Sequence, residues 1–287
     1  MEQSKIVLNI QKAPQKSKKK ELQRTDDWQK KRMGRFTASQ FKNLMSCSSK
    51  VSRKSWNDIE KLYGFGTSSI KYLYENAMER KTKRYIDSGK GTAAMQYETR
   101  VEPLIQKVAK KQLKKIGVVG KMKEVGFKEF KGLPNAGASS DSIIVNKQKE
   151  TLASVEIKAC TSWGTHFDRT FEEINDKSID FWQIQAQMIA WNVDKCYYVV
   201  AEPPADIRKY VYHDGAIMDL YDDFVDECGI TIQVIEASKE HQKALIDRII
   251  IAEKCLVDWL EKGGNLKNTL DETIKFFQEN PDQLKIK

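Results

Sequence analysis

Three residues near the middle of the chain have the types and spacing for metal-assisted hydrolysis. Asp141 is followed fifteen residues later by Glu156, and Lys158 stands two positions after Glu156. Because side chains alternate along a β-strand, Glu156 and Lys158 would project to one face, and Val155 and Ile157 to the other. An acid and an amine would then share one site.

The two acids also suit a divalent cation. If the strand that begins after Asp141 pairs with the strand that carries Glu156, their carboxylates meet, and oxygen ligands favour Mg²⁺ or Mn²⁺. Such an ion lowers the pKa of bound water and neutralises charge on a phosphate, while Lys158 would orient or deprotonate that water. Acid and lysine alternation is also common on exposed strands, so the spacing alone leaves a solvated strand as the alternative.

Short β-prone runs surround these residues. Ser142–Val145 and Leu152–Lys158 are separated by the polar residues Asn146–Lys149, which predicts a hairpin. Further short strands are expected at residues 125–127, 196–201 and 210–212. The pair of acids would therefore lie on a sheet.

Helical patterns occupy much of the remaining chain. Helices are expected to begin at Asp26 and at Thr37, whose hydroxyl would cap the second helix and leave an N-terminus suited to an anion. Apolar spacing predicts further helices over residues 56–84, from Gly91 onward, over 176–193 and over 237–262. Blocks of helix and strand without a βαβ rhythm predict an α+β or irregular α/β domain, with one central sheet.

The charge of the chain is basic and unevenly placed. The 287 residues carry 49 Lys and Arg against 40 Asp and Glu, and this net charge of +9 favours a polyanion such as nucleic acid as partner. Residues 1–24 hold seven of the basic residues and two of the acidic ones. They predict a flexible arm that contacts phosphates, or else a solubilising tail. We expect a single domain over residues 25–262 and a polar C-terminal extension over 263–287.

Composition argues against several classes of protein. The five cysteines lie far apart without a CxxC pair, so neither a disulfide scaffold nor a zinc knuckle is expected. The three histidines are scattered and a Walker-type phosphate loop is lacking, which argues against a histidine metal cluster and against ATP dependence. No apolar run reaches the roughly 20 residues that cross a bilayer. We expect a soluble protein of the reducing cytoplasm that does not bind membranes.

Five ordered motifs resemble the lambda-exonuclease or YqaJ-like recombinase family of the PD-(D/E)XK nucleases. The segments that resemble the family's W-x3-R-x-G-x2-TAS, G-x-x-x-E, S-P-D-G, E-(L/I)-K-C-P and Q-x-Q motifs are Trp28–Ser39, Gly91–Glu98, Ala138–Ser142, Val155–Cys160 and Trp182–Gln185. Each motif alone is loose, but five in order are specific. The resemblance covers residues 26–200.

The resemblance implies a restriction-endonuclease-like core with a central mixed β-sheet flanked by helices, and it assigns roles to matching positions. The catalytic residues and metal ligands would be Asp141, Glu156, Lys158 as the catalytic amine, Glu98, and the backbone carbonyl of Ile157 as a further ligand. The terminal 5′-phosphate of DNA would be held by Arg32, Ser39, Ser139 and Gln183. Two Mg²⁺ ions per site are expected, with Mn²⁺ as a substitute.

Each role has a plainer alternative. Arg32 and Glu98 would otherwise be surface charges, Ser39 a helix cap, and Gln183 a polar neighbour of the core. Gln187 shares the helix face of Gln183, whereas Gln185 points away and is expected to be structural.

The sequence departs from the family pattern in two places. Ser140 and Ser142 replace the proline and glycine that usually flank the aspartate, and Ala159–Cys160 is shifted relative to the usual C-P. The aspartate itself is present, so the departures concern the geometry of its loop.

The resemblance also implies a function. It points to a 5′ to 3′ exonuclease that resects linear duplex DNA to 3′ single-stranded tails for phage-type recombination in the host cytoplasm. A homotrimeric ring and a single-strand annealing protein as partner are implied as well. An endonuclease on the same fold and a non-catalytic DNA-binding module are the alternatives.

Overall fold

The computed structural model describes residues 26–86 and 92–285. The basic arm predicted for residues 1–24 and the expected helix start at Gly91 lie outside the described residues. Within the described residues, none of the helices is both long enough and apolar enough to span a membrane.

A five-stranded mixed sheet forms the centre of the fold. Its strands, in spatial order, are β2 (Lys121–Glu124), β5 (Ser142–Val145), β6 (Thr151–Ala159), β7 (Lys195–Ala201) and β8 (Ile230–Glu236). Strands β6 and β7 are parallel, and the other neighbouring pairs are antiparallel. The predicted mixed sheet is confirmed.

The predicted hairpin is strands β5 and β6. Ser142 pairs with Val155 across the hairpin, and the turn is closed by hydrogen bonds between Asn146 and Glu150. This register places residue 141 opposite residue 156, because antiparallel partners keep a constant sum of residue numbers. The sequence therefore positions the two acids through one hairpin.

A smaller three-stranded sheet has the order β1 (Phe36–Thr37), β4 (Leu133–Ser139) and β3 (Phe127–Phe130). Strand β4, which the sequence analysis missed, is central and contains Pro134 and Gly137. A Cβ at Gly137 would stand 2.4 Å from the Lys128 carbonyl oxygen, so the close approach of β3 requires glycine here. Pro134 and Gly137 are residue types that usually weaken a strand, which is why the sequence analysis did not predict β4.

Helices pack on both sides of the central sheet. In chain order they are α1 (Asp26–Arg32), α2 (Phe41–Leu44), α3 (Ile59–Tyr63), α4 (Thr67–Thr82), α5 (Ala93–Lys115), α6 (Trp163–Thr170), α7 (Phe181–Trp191), α8 (Arg208–Val211), α9 (Tyr221–Glu227), α10 (Lys239–Lys262) and α11 (Leu266–Glu279). Helix α5 buries the predicted stripe Tyr97, Val101 and Leu104 against β6, with Pro103 inside the helix. Helix α7 contacts strands of both sheets and so joins them.

Several predicted elements differ in detail. Residues 210–212 are not a strand; 210 and 211 close the short helix α8, where the Tyr210 hydroxyl donates to Glu227. The helix expected over 56–84 is two helices, separated at residues 64–66. The strand expected at 125–127 is divided, with β2 ending before Val125 and β3 beginning at Phe127.

The helix expected after Thr37 is also shorter than predicted. A 3-10 turn at residues 38–40 leads into the four-residue helix α2, and the Thr37 side chain makes no capping hydrogen bond. Thr37 instead belongs to β1, where its backbone N–H donates to the Tyr72 hydroxyl. This segment therefore does not supply the helix N-terminus that was expected to attract an anion.

The C-terminal segment is more deeply packed than its polar composition predicted. Helix α11 buries Leu266, Leu270 and Phe277 in the same core cluster as residues of α4, α7 and α10. The apolar residues recur at helical spacing among exposed polar ones, which lowers the mean hydropathy without removing the apolar face. The folded domain therefore extends beyond residue 262.

Leu270→Ala should lower the free energy of unfolding by about 2–4 kcal/mol, because it leaves a cavity in this core. Chemical denaturation with circular dichroism measures the change, and Glu272→Ala, at an exposed position of α11, serves as control and should stay within about 0.5 kcal/mol. Equal stability of the two variants would show that α11 is only a peripheral appendage.

Candidate active site

Asp141 and Glu156 lie side by side, as the hairpin register requires. Asp141 is held just before β5, where its Oδ2 accepts a hydrogen bond of 2.7 Å from the backbone N–H of Ile157. Glu156 is buried with 1% of its surface exposed, while Val155 and Ile157 face the opposite side of β6 into the core under α5. The predicted alternation along this strand is confirmed.

Lys158 shares the face of Glu156. Its Nζ lies 2.7 Å from Glu156 Oε1 and 3.3 Å from Gln183 Oε1. A third contact, 3.8 Å long, joins Nζ to Asp180 Oδ1. The ammonium is therefore fixed between two carboxylates and an amide.

Helix α7 holds the Glu156 carboxylate from the other side. Gln183 Nε2 donates to Glu156 Oε1 over 2.6 Å, and Gln187 Nε2 donates both to Oε2 and to the backbone carbonyl of Ser139. Gln185 instead bonds the backbone at Glu236 and Ser238, so its predicted structural role is confirmed. Gln183 and Gln187, one helical turn apart, therefore both bind Glu156, and Gln187 also connects Glu156 to Ser139 at the end of β4.

The two carboxylates are costly to charge together. Burial raises the pKa of Asp141 well above its ordinary value, and the negative charges of Glu156 and Glu102 raise it further. Burial also raises the pKa of Glu156, although Lys158 opposes this shift. A positive ion between the two carboxylates would relieve their mutual repulsion.

Lys158 responds in the opposite direction to its burial. Desolvation acts to lower its pKa, but the charges of Glu156 and then Asp180 outweigh it and raise the pKa above the ordinary value. The side chain is therefore a charged ammonium at neutral pH. An ammonium donates hydrogen bonds and stabilises negative charge, and in this state it does not accept a proton from water.

The residues predicted to grip a phosphate lie on the same cavity. Arg32 donates to Ser39 Oγ at 2.8 Å and to Thr37 Oγ1 at 3.3 Å, and its guanidinium stands 4.1 Å from the Trp28 ring centre. The Trp28 indole N–H donates to Ser139 Oγ at 3.0 Å. Burial lowers the pKa of Arg32. An arginine side chain nevertheless stays protonated in proteins, so the guanidinium is charged.

One cavity of about 160 Å³ brings these groups together. All eight side chains predicted for the site line it, together with the Ile157 backbone position, and these are Arg32, Ser39, Glu98, Ser139, Asp141, Glu156, Lys158 and Gln183. Trp28, Thr37, Ala38, Glu102 and Phe127 complete the wall. The ammonium of Lys158, the guanidinium of Arg32 and several carboxylates therefore line one cavity.

Helix α5 contributes Glu98 and a second acid that the sequence analysis missed. Glu102 lies one turn after Glu98 on the same cavity wall, and its charge acts on Asp141. The spacing of four residues already puts both acids on one helix face, so the sequence did contain this signal.

Asp180 was missed as well, and no sequence motif marked it. It is 4% exposed at the start of α7, where Tyr198 donates to its Oδ2 at 2.6 Å and Arg169 at 3.0 Å. Although burial opposes the shift, Lys158 and Arg169 hold its pKa below the ordinary value. Asp180 is therefore a second anion, besides Glu156, that lies within 3.8 Å of the Lys158 ammonium.

The donor set suits a hard divalent cation. Two neighbouring carboxylates with raised pKa values offer oxygen ligands, which is the chemistry that Mg²⁺ and Mn²⁺ prefer, and the backbone of Ile157, whose carbonyl is the further predicted ligand, lines the same cavity. Across residues 26–86 and 92–285, no group of three or more His, Cys, Asp or Glu side chains is arranged to hold a metal. Two carboxylates and a backbone carbonyl are thus the set that the geometry offers, and the role of Glu98 stays a prediction.

The mixed sheet, with Glu156 and Lys158 on β6 and Asp141 just before the neighbouring strand β5, has the architecture of the PD-(D/E)XK nuclease fold. Residues 27–193 match the YqaJ-like viral recombinase domain over more than half of the chain. The chain therefore belongs to the YqaJ-like viral recombinase family. The resemblance inferred from the motifs is confirmed.

Two solved structures agree on the fold. Two crystal structures of the alkaline exonuclease LHK-Exo from Laribacter hongkongensis, one of them in complex with dAMP, are similar at 21% identity and a TM-score of 0.52, with 91% of this chain and 100% of that chain covered. A phage-related exonuclease from Haemophilus somnus 129PT is 13% identical, with a TM-score of 0.48 over 88% of this chain and 96% of that one. No curated protein sequence matches the chain.

Asp141→Asn should raise the melting temperature in metal-free buffer at pH 7–8. Folding raises the pKa of this carboxyl, so the folded state binds its proton more tightly than the unfolded state, and the charged pair lowers stability at neutral pH. The amide oxygen of asparagine keeps the hydrogen bond from Ile157. The advantage of the variant should shrink as pH falls toward the raised pKa, where the wild-type carboxyl is protonated.

With Mg²⁺ present, the wild type should have a higher melting temperature than Asp141→Asn. At a concentration 100 times its Kd the ion stabilises the wild type by about 2.7 kcal/mol, whereas Asp141→Asn should gain little. Scanning calorimetry with and without Mg²⁺ measures both effects, with Asp222→Asn on the surface of α9 as control. An equal gain from Mg²⁺ in all three proteins would exclude a metal site at Asp141.

Proposed function

We propose that the protein is a metal-dependent deoxyribonuclease, and specifically a 5′ to 3′ exonuclease that resects the ends of linear duplex DNA to 3′ single-stranded tails. The observation that carries this proposal is the shared cavity. It joins a carboxylate pair with a lysine to a charged arginine that is hydrogen-bonded to two hydroxyls. The carboxylates and the lysine suit hydrolysis of a phosphodiester, and the arginine with its two hydroxyls suits the binding of a terminal phosphate.

The side chains divide the chemistry between them. Asp141, Glu156 and the Ile157 carbonyl would hold Mg²⁺ or Mn²⁺, with Glu98 and Glu102 as the nearest acids for a second ion. When bound, the metal would act as a Lewis acid on the scissile phosphate and lower the pKa of a water. The chain supplies the positioning, since Lys158 as an ammonium would donate to the attacking water or to a phosphate oxygen.

Arg32 supports the polarity of the proposed reaction. A guanidinium forks two hydrogen bonds to a phosphate, and a terminal phosphate carries more charge than an internal one. Ser39 and Ser139 place hydroxyls on the same cavity, and Gln183 connects it to Lys158. The similar exonuclease LHK-Exo has been crystallised with dAMP, which supports a deoxynucleotide as ligand for this cavity.

Assembly and context belong to the same proposal. We infer a homotrimer that encloses duplex DNA, a single-strand annealing protein that receives the 3′ tail, and a role in phage-type recombination in the host cytoplasm. Family membership supports these inferences. The net charge of +9 supports a polyanionic substrate.

Asp141→Ala, Glu156→Ala and Lys158→Ala should each reduce Mg²⁺-dependent cleavage by about 100-fold or more, because each removes a group that acts on the reacting phosphate. Release of nucleotides from linear duplex measures the rate, and circular dichroism checks the fold. Lys147→Ala, in the exposed hairpin turn, is the matched control and should keep wild-type activity. Near-normal cleavage by any of the three folded variants would contradict the mechanism.

Arg32→Ala should weaken the preference for 5′-phosphorylated ends more than it weakens binding to internal duplex. The measurement compares cleavage of linear duplexes that carry a 5′-phosphate or a 5′-hydroxyl. Arg35→Ala removes a nearby charge that is paired with Glu129 and lies outside the cavity, so it should preserve the preference. Equal losses on both kinds of end in Arg32→Ala would contradict the phosphate role.

Sedimentation velocity at micromolar concentration should give a mass of about three times 33.1 kDa. A closed ring would keep the nuclease on its DNA between successive cleavages. We expect the three subunits to be assembled before DNA binds, so the trimer should also be present in the protein alone. A monomer under these conditions would remove the ring and the processivity attributed to it.

A further inference from the structure

Helix α6 and the residue that follows it carry an exposed stripe of three aromatic side chains, soon after the end of β6. Trp163, Phe167 and Phe171 lie four residues apart, so they share one helix face, and they are 62%, 51% and 76% exposed. The Phe167 and Phe171 rings stack with their centres 4.9 Å apart. We call these three residues the aromatic surface.

The aromatic surface is larger than single exposed residues on a monomer would explain. An aromatic side chain buries roughly 150–250 Å² in an interface, so the exposed parts of these three offer roughly 300–450 Å². That is about half of the roughly 800 Å² that each partner buries in a stable complex. This area lies within the roughly 300–600 Å² of the largest apolar patch on a typical monomer, and such patches are often functional.

The charges beside the aromatic surface argue against DNA as its ligand. Asp168, Glu172 and Glu173 are exposed next to the rings, whereas Arg169 points inward to Asp180. Acidic side chains repel phosphates, so stacked bases are not the expected occupant. The surface instead suits a partner that presents both apolar and basic groups.

The same chain presents such a surface elsewhere. Ile116 and Val119, between α5 and β2, are 61% and 81% exposed, and Lys114, Lys115 and Lys121 are exposed beside them. All charged residues from 110 to 123 are lysines. We call these five residues the lysine surface.

The two surfaces lie near opposite ends of β6. The loop that carries Ile116 and Val119 lines a cavity with Leu152 and Ala153, at the start of the strand. Helix α6 begins soon after β6 ends at Ala159. Nine residues of strand span roughly 30 Å, so the two surfaces cannot meet within one molecule.

We propose that the aromatic surface of one molecule binds the lysine surface of the next. Three acids would face three lysines, and the rings would face Ile116, Val119 and the ammonium groups, which also bind aromatic faces. Because the two surfaces differ, the contact is head to tail, and head-to-tail contacts close into a ring when the rotation permits. The inference rests on the homo-oligomer of the proposed function and is independent of the nuclease chemistry.

Charge reversal tests this pairing in the full-length chain. One variant carries Asp168→Lys, Glu172→Lys and Glu173→Lys, a second carries Lys114→Glu, Lys115→Glu and Lys121→Glu, and a third carries all six changes. The first two should sediment as monomers at low salt, because like charges then face each other. The third should recover the wild-type mass, because the attraction is restored with its signs exchanged.

A further variant, Phe171→Glu, should also dissociate the assembly. Because Phe171 is exposed, this substitution should leave the fold intact, and melting temperatures check the fold of all four variants. Unchanged mass in either triple variant, or failure of the six-fold variant to reassemble while folded, would overturn the pairing. Weakened duplex binding by the lysine variant at unchanged mass would assign that surface to DNA instead. Nuclease activity of the wild type is measured separately. If the wild type cleaves DNA but the charge variants contradict the pairing, only the proposed contact fails; if the wild type does not cleave DNA, the proposed function fails.

Discussion

The site depends on the antiparallel pairing of β5 with β6. This pairing sets Asp141 against Glu156, two like charges that burial and mutual repulsion make expensive to ionise together. The hairpin is held by the continuous core beneath Val155 and Ile157, and the 2.7 Å hydrogen bond from Ile157 fixes Asp141 to it. Apolar packing on the core face of β6 thus stabilises the hairpin enough to keep Asp141 and Glu156 together on the opposite face. Such a loss of stability at a site is common where function requires it.

Helix α7 turns this pair into a site with a defined chemistry. Because the helix contacts both sheets, its glutamines reach Glu156 while Asp180 at its start reaches Lys158. The lysine is therefore kept charged and directed by anions on two sides. The smaller sheet carries Ser139 and Thr37 to the same cavity, so the groups suited to a terminal phosphate and those suited to hydrolysis are positioned by one packed unit.

Sequence reasoning reached those parts of the fold and site that depend on local periodicity. Alternation placed Glu156 and Lys158 on one face, and helical spacing separated Gln185 from Gln183 and Gln187. It failed where tertiary contacts override local preference, as in β4, where the close approach of β3 requires Gly137, and in α11, whose apolar face is diluted by polar neighbours. Asp180 could not be found, because its role arises from contacts with β6, α6 and β7 rather than from a motif.

In the proposed function, one cavity recognises a 5′-phosphate and hydrolyses the adjoining DNA strand. Digestion of a linear duplex labelled separately at its 5′ and 3′ ends, with and without a 5′-phosphate and in the presence of Mg²⁺, tests it most directly. We expect early release of the 5′ label as mononucleotide, a persistent 3′ label, faster digestion of phosphorylated ends and no attack on a closed circle. Early release of the 3′ label, or cleavage of the circle at a comparable rate, would contradict it.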